Sequence, residues 1–378
     1  MSEQGLNSLE AYFGEMTDPR VAGRCEHKLV EILIIAVCGM LSGANSWHEI
    51  EEFGQTKEAW LRHFLELPGG IPSHDTFGRV FSLLDGAEFQ TCFARWVEGV
   101  FAVERGQVVA IDGKTARGSQ DTYLGKRAIH LVSAWARDSG LLLGQRKVDD
   151  KSNEISAIPE LLKDLYVAGC IVTIDAMGCQ TEIARTIIDQ HADYVLALKG
   201  NQGQLHQDVV EWFEYAQQVN FKGLSHTFDQ SVDKQGGRVE IRRAWAIDDP
   251  LAFETIRHHE GWLGLRSIVM LQRERHWTDH LQTDTAYYIS SLPAHADLLL
   301  ECTRAHGSVE NTFHWTMDVI FAEDTARVRT GQAPENMAVL RHLALNLLRH
   351  DPSSGSLNRK RLRAALDDDF RLALLTQL

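Results

Sequence analysis

The hydrophobic pattern divides the chain into a helical front, an alternating middle and a helical tail. Residues 28–43 (KLVEILIIAVCGMLSG) are apolar nearly all round, which predicts a helix buried on every side. Ser46 followed by Glu49 reads as a capping box opening a second helix that runs toward Leu65. Pro68, Gly69, Gly70 and Pro72 break the chain, and Ser73 is placed to cap a third helix over HDTFGRVFSLL. Phe89, Phe93, Trp96, Val97 and Val100 recur at helical spacing and predict a fourth over roughly 87–103. Residues 1–105 are therefore expected to form an all-helical unit.

From Gly106 the period changes. Val108 to Ile111 is a short β-branched run that predicts a buried strand, with a turn at Asp112-Gly113. Ala128 to Ala136 and Leu141 to Val148 predict two more strands joined by Asp138-Ser139-Gly140. A helix over Glu154 to Val167, a strand over Cys170 to Ile174, a helix over Thr181 to Gln190 and a strand over Asp193 to Leu198 follow. That order indicates an α/β unit with a mixed sheet over 106–200. Residues 201–300 are polar with strand-like pieces (Arg238 to Ala246, Leu265 to Gln272, Thr285 to Ile289) and read as a β-rich insertion. Over 301–378, one helix is expected from about Glu301 to Trp315 and another from Pro334 to Leu348, with proline in its first turn.

Composition narrows the classes. The 378 residues carry 52 acids and 38 bases, a formal charge of -14. Such acidity argues against a polybasic nucleic-acid coat or a basic membrane-surface protein, but leaves room for a local basic patch. The excess is uneven: residues 1–105 hold 16 acids and 8 bases, whereas 106–200 hold 12 and 11 and 301–378 hold 10 of each. The six cysteines form no CxxC pair, so buried thiols in a reducing compartment are expected. The longest apolar run, Ile32 to Leu41, is too short to span a bilayer, and the N-terminus has no signal-peptide pattern. A cytoplasmic protein with no membrane partner is the expectation.

Two aspartates stand at the ends of predicted buried strands: Asp112 in VVAIDGK and Asp175 in IVTIDAMGCQ. A strand that stops at an aspartate aims a carboxylate at the sheet edge where α/β proteins place their sites. Each is equally well a turn or cap residue when taken alone. A third acid, Glu310, stands in RAHGSVENTFHW among Val309, Phe313, Trp315, His306 and His314, a setting that suggests a packed, polar-lined face. Three carboxylates match the hard oxygen ligands that Mg²⁺ takes in two-metal phosphoryl transfer.

Taken in order, DPRVAGRCEHKLVEILIIAVCGMLSGANSW, GIPSHDTFGRVF, AIDGKTARGS, KSNEISAIPELL, TIDAMGCQ, DYVLALKGNQ, GGRVEIR, SVENTFHWTMDVIFAEDTARVR and PENMAVLRHLALNLLRH resemble a DDE transposase of bacterial insertion sequences. The resemblance covers nearly the whole chain and is closest to the ISAs-type branch with its H-repeat-associated proteins. It implies a ribonuclease-H-like mixed-sheet core with a β-rich insertion between Asp175 and Glu310. Asp112, Asp175 and Glu310 would be both catalytic and metal-binding. Two Mg²⁺ ions, for which Mn²⁺ can substitute, would be the cofactor. The reaction implied is cleavage of insertion-sequence ends and transfer of the 3′-hydroxyl to target DNA. Double-stranded DNA and a homodimer assembled on it are the expected partners. An RNase-H-like nuclease without strand transfer, and an inactive DNA-binding remnant, are the alternatives. Related transposases carry Tyr, Arg and Lys around the glutamate. Here Thr303 and His306 precede Glu310, Thr316 and Met317 follow it, and Arg304 is the nearby cation.

Several further residues each have a functional and a plainer reading. Lys114 and Arg117 follow the first aspartate and would set positive charge near a scissile phosphate, or be exposed turn residues. Lys199, Asn201 and Gln202 end a strand beside the expected site and read as DNA contacts or a polar loop. Lys151, Asn153 and Glu154 resemble a family motif, though Asn153 equally reads as a helix cap and Glu154 as structural or catalytic; Gln180 lines the pocket or only opens its helix. Arg238, Arg242 and Arg243 form a basic cluster in the insertion; Arg238 with Arg242, or Glu240 with Arg242, share one strand face, and Arg238 and Arg242 are candidates for the DNA backbone. Arg304 is a further phosphate candidate. Arg359, Lys360, Arg361 and Arg363 read as a phosphate contact or a frayed tail. Asp367-Asp368-Asp369 reads as a solvated acid run. The helices near 46–65 and 73–84 form either a helix-turn-helix for DNA ends or a dimerisation unit.

Overall fold

The computed structural model describes residues 6–21, 23–101, 104–148, 154–235, 237–277 and 279–376; Lys151 and Asn153 lie outside them. The front of the chain is α1 (Leu6–Phe13), α2 (Leu29–Leu41), α3 (Trp47–Thr56), α4 (Glu58–Leu61), α5 (His74–Leu83) and α6 (Gly86–Val100). Then come β1 (Val108–Ala116), β2 (Ile129–Ala136), β3 (Leu141–Val148), α7 (Glu154–Lys163), β4 (Ile171–Ile174), α8 (Thr181–Asp189) and β5 (Asp193–Leu198). Next are α9 (Gly203–Gln218), β6 (His226–Gln235), β7 (Arg238–Ile247), α10 (Pro250–Thr255), β8 (Ser267–His276) and β9 (Leu281–Ser290). The chain ends with α11 (Ala296–Gly307), α12 (Ala333–His350), α13 (Leu357–Leu366) and α14 (Asp368–Thr376). The chain forms two compact units. One is Met1–Ala102, Gly113–Asp150 and Glu310–Leu378; the other is Val103–Asp112 and Lys151–Val309.

In the first unit α2 is buried along its length, as an all-apolar helix must be. The capping box at α3 is shifted by one residue. The Ser46 hydroxyl accepts from the Glu49 amide at 3.3 Å, while the Glu49 carboxylate accepts from the Asn45 amide at 2.6 Å. The expected continuation to Leu65 fails at Lys57, where the chain leaves helical geometry before α4. Ser73 caps α5 as expected. The long helix α12, with proline in its first turn, is buried on nearly every side and packs against α2, α5, α6 and β3. Its Asn346 side chain bonds both the amide (2.9 Å) and the carbonyl (2.8 Å) of Leu142, acting as an extra strand partner for β3.

The C-terminal basic run is neither a tail nor a phosphate patch throughout. Lys360 and Arg361 are buried in α13. Lys360 donates to the Leu348 carbonyl at the end of α12, and to the Asp351 carboxylate at 3.0 Å. Arg359 and Arg363 stay exposed. The acid run is also structural: Asp367 accepts from the Phe370 amide and Asp368 pairs with Lys57 and Arg371.

In the second unit the strands run in the order β1-β4-β5-β9-β8-β7-β6. β1, β4 and β5 are parallel, and β5-β9-β8-β7-β6 is antiparallel throughout. Residues 201–300 thus add four strands to the sheet that holds β4 and β5. They also hold α9, a 16-residue helix that their polar character hid. One face of this sheet, including Val108, Ile171, Val195, Ala244 and Ala246, packs on Leu299, Leu300, Cys302 and Ala305 of α11.

β1 does not turn at Asp112-Gly113 as expected. It continues to Ala116, because β2 lies beside it and supplies backbone partners after β4 has ended at Ile174. An antiparallel β2–β3 hairpin followed by parallel β1, β4 and β5 is the strand sequence expected of a ribonuclease-H-like core. Among the described residues, no helix is long and apolar enough to cross a membrane. Five of the six cysteines are buried and Cys25 is exposed.

Candidate active site

The parallel register of β1 and β4 places two of the three expected acids side by side. Val108 to Ile111 pair in step with Ile171 to Ile174, so Asp112 and Asp175 each follow the last paired residue. Adjacent strands lie about 4.8 Å apart, which sets the scale of the separation between the two backbones. Alternation puts both aspartates on the face that carries Val108 and Ile171, the face covered by α11. The end of α11 reaches this place: His306 Nδ1 lies 3.4 Å from Thr173 Oγ1, two residues before Asp175. Glu310 follows His306 by four residues.

Both aspartates are half-buried. One oxygen of Asp175, Oδ1, accepts from the amides of Met177 (3.1 Å) and Gly178 (3.3 Å). The turn-residue reading of Asp175 is therefore true of that oxygen. Oδ2 has no hydrogen-bond partner among the described residues. The loop after β4 is held from β5: Asn201 Nδ2 donates to the Ala176 carbonyl at 2.6 Å and Gln202 Nε2 to the Cys179 carbonyl at 2.9 Å. Gln202 also donates to Gln180 at 3.2 Å. Asn201 and Gln202 thus serve as braces of the Asp175 loop rather than as free DNA donors. Lys199, just before them, is exposed.

Glu310 departs from the expected setting. The regular helix ends at Gly307, and Glu310–His314 and Thr316–Ile320 are π-helical turns. Such turns widen the backbone and occur often at functional positions. Glu310, Asn311 and Thr312 are exposed, as is Trp315, so the face is open rather than packed. The opposite side is anchored, with Phe313 stacked on Trp135 of β2 at 5.1 Å.

Lys114 is not the free cation expected. Its ammonium is mostly buried and donates to Asp318 (2.5 Å) and to the buried Glu323. Burial works against the charged Glu323, but Lys114 and Arg341 outweigh it and hold its carboxyl below the usual range. Burial, with Lys114 nearby, pushes His314 down to about 4. Burial likewise pushes His342 down to about 3, so both imidazoles are neutral at pH 7. Two cations and two carboxylates then balance. Arg117 stands apart, with 82% of its side chain exposed and its guanidinium only 4.0 Å from Asp324.

The basic cluster of the insertion is largely neutralised. Arg242 pairs with Asp233 (2.5 Å) and Glu240 (3.0 Å), Arg304 with the same Asp233 (2.9 Å), and Arg238 with Glu240 (3.6 Å). Arg243 pairs with Glu274 at 2.5 Å. Strand pairing brings Asp233 from β6 and Glu274 from β8, which a reading along β7 alone does not show; Glu240 lies on β7 itself, two residues from both Arg238 and Arg242.

Asp112, Asp175 and Glu310 form the right donor set for a hard divalent cation, all carboxylate oxygen. Two of them are in register and one carboxylate is already oriented by backbone amides, which fits a metal ligand. Among the described residues, no group of three His, Cys, Asp or Glu side chains is gathered closely enough to hold an ion. The third carboxylate belongs to the other compact unit.

Comparison with known proteins gives the family. The transposase DDE domain model matches residues 103–347, and the model of its associated domain matches residues 10–97. "Putative transposase YncI" of Escherichia coli O157:H7 is 39% identical over 96% of this chain and 93% of its own length. "H repeat-associated putative transposase YhhI" of Escherichia coli K12 is 38% identical over 98% of each. Among solved structures, a piggyBac transposase synaptic complex with hairpin DNA is similar at a TM-score of 0.43 and 10% identity, covering 99% of this chain and 78% of that one. That likeness is too slight to bear on the fold. On the family match and the full-length relatives, the chain belongs to the DDE transposases, enzymes that act on DNA by divalent-metal chemistry, and to their H-repeat-associated branch.

Proposed function

We propose that Asp112, Asp175 and Glu310 are the acidic triad at which this transposase cleaves insertion-sequence ends and joins them to target DNA. The observation that carries the reading is the β1–β4 register, which sets Asp112 and Asp175 on one sheet face under α11. The chain continues from α11 to Glu310 within four residues of the Thr173–His306 contact.

The three carboxylates would hold two Mg²⁺ ions, with Mn²⁺ as a substitute. When bound, such ions stabilise the attacking and leaving oxygens of an in-line displacement at phosphorus. Asp112 offers its carboxylate from a strand continuous on both sides, so its backbone position is fixed. Asp175 is oriented by the amides on Oδ1, which leaves Oδ2 for ligation. Glu310 projects from the open side of a turn anchored by Phe313. Arg117 and Lys199, both exposed, are the cations available to the DNA backbone. Arg238 and Arg304 are partly exposed and add weaker contacts; Arg242 serves mainly to fix Asp233 and Glu240. The helical front binds DNA ends or a second copy, and two copies on paired ends form the working assembly.

The test is cleavage of a duplex carrying the element's end, in Mg²⁺, by wild type and Asp112→Asn. Nicked and joined products should both fall by at least about a hundredfold in the variant, the scale of losing a main electrostatic contributor. Undiminished product from a folded variant rejects the assignment. Nicked product without joined product in the wild type would make the enzyme a nuclease.

A further inference from the structure

We infer that Lys114 is a positioning residue for Glu310: its bridge to Asp318 and Glu323 holds the π-helical segment in the shape that presents that carboxylate. The inference rests on Glu310 being the third acid of the triad.

Lys114 lies two residues beyond Asp112 in β1, and Asp318 lies in the second π-helical turn after Glu310. Their 2.5 Å contact therefore fastens the strand that leaves one acid to the segment that bears another. Glu323 takes the same ammonium and is in turn 3.8 Å from the fully buried Arg341 of α12. The fastening continues along the chain. The Arg117 amide donates to Asp324 at 3.1 Å. A Cβ on Gly118 would stand 2.3 Å from the Ala326 carbonyl and 2.9 Å from that of Glu323, so the two stretches are packed backbone to backbone.

The segment needs such a restraint. Two successive π-helical turns are uncommon geometry, and Ala322, which closes them, sits at φ +52 in the left-handed region. Backbone of this kind persists when its surroundings over-determine it. Phe313 on Trp135 holds the first turn at one residue only, and the Lys114 bridge holds the second, so the path of the backbone through both turns depends on the two contacts together. Without the bridge the second turn is free to relax to ordinary helix, which would rotate the residues before it.

Asp318→Asn is the discriminating variant. Asp318 is one-third exposed, and Lys114 keeps Glu323, so the fold survives. Two readouts are taken beside Glu310→Gln. The first is hydrogen exchange of the segment 310–320 in the protein without metal or DNA. The second is single-turnover cleavage at saturating end DNA against Mn²⁺ concentration. The inference expects exchange in 310–320 to rise about tenfold. It expects cleavage to fall about 10- to 100-fold, the scale of a misplaced group, with unchanged DNA affinity. Asp318→Glu should restore both. Wild-type exchange in Asp318→Asn overturns the inference whether or not the rate falls, and so does a wild-type rate while Glu310→Gln is inactive. Full activity of Glu310→Gln instead removes the triad assignment, and the inference with it.

Discussion

Replacing Arg361 with Met separates two views of the C-terminal basic run. The guanidinium donates to the Met40 carbonyl from Nε (3.1 Å) and Nη2 (2.9 Å), to the Ala44 carbonyl (3.3 Å) and Asn45 side chain (3.1 Å), and to the Ile320 carbonyl. Met40 lies in the last turn of α2, so no amide of the helix reaches its carbonyl, and the Gly43 amide at 3.3 Å is its backbone donor. The ring of Phe321 lies 4.6 Å from the guanidinium carbon. Three backbone carbonyls lose a charged donor in the variant, and at about 1.5–2 kcal/mol each this removes roughly 5 kcal/mol. Part returns, because placing this cation here is itself costly: burial, with Arg341 nearby, lowers its pKa to about 10. That shift corresponds to about 3 kcal/mol of net desolvation and charge repulsion recovered when the charge is removed. The net expectation is a loss of about 2 kcal/mol in urea unfolding, with DNA affinity and its salt dependence unchanged. Wild-type stability together with a salt slope reduced by about 1 would instead make Arg361 a phosphate contact.

Other consequences follow from the same contacts. Arg117→Gln and Lys199→Gln should each weaken DNA binding uniformly across sequences and lower the slope of log affinity against log salt by about 1, read by fluorescence anisotropy. Glu240→Gln leaves Arg238, Arg242 and Arg275 around a buried site without their shared acid. It should cost about 3–5 kcal/mol in unfolding free energy, and a neutral result would show that the cluster is not coupled. His342, pushed down to about 3 by burial, stays neutral in the fold while the unfolded chain protonates near 6.5. Its contribution is complete above pH 6.5 and is lost as pH falls from there toward 3, at about 1.4 kcal/mol per pH unit. His342→Gln should flatten the stability profile by that amount between pH 6 and 4; an unchanged slope would place the titration elsewhere. Glu323, Arg341 and Lys114 are the charged groups that face this ring.

What the sequence disclosed follows a physical divide. The all-apolar run of α2, the caps at Ser46 and Ser73, and the strands that lead to Asp112 and Asp175 are local patterns, and the fold keeps them. Asp112-Gly113 reads as a turn along the chain but lies within β1, because the neighbouring strand continues the pairing. The π-helical turns at Glu310 carry no periodic signature, since a widened turn changes hydrogen bonding without a distinct hydrophobic repeat. α9 is hard to read from the sequence because its apolar face is sparse among polar residues. Most revisions concern cations. Lys114 meets Asp318 and Glu323 from more than 200 positions away, and Arg242 meets Asp233 across a hairpin. Residue type announces a charge but not its partner. A basic run such as Arg359 to Arg363 therefore looks alike whether it faces phosphate, water or the carbonyls of another helix.

The triad is tested most directly by anomalous diffraction from crystals of the protein with end DNA and Mn²⁺. Two Mn²⁺ peaks about 4 Å apart are expected, contacted by Asp112, Asp175 and Glu310. Peaks held by other residues, or a paired site that Glu310 does not touch, would contradict the triad.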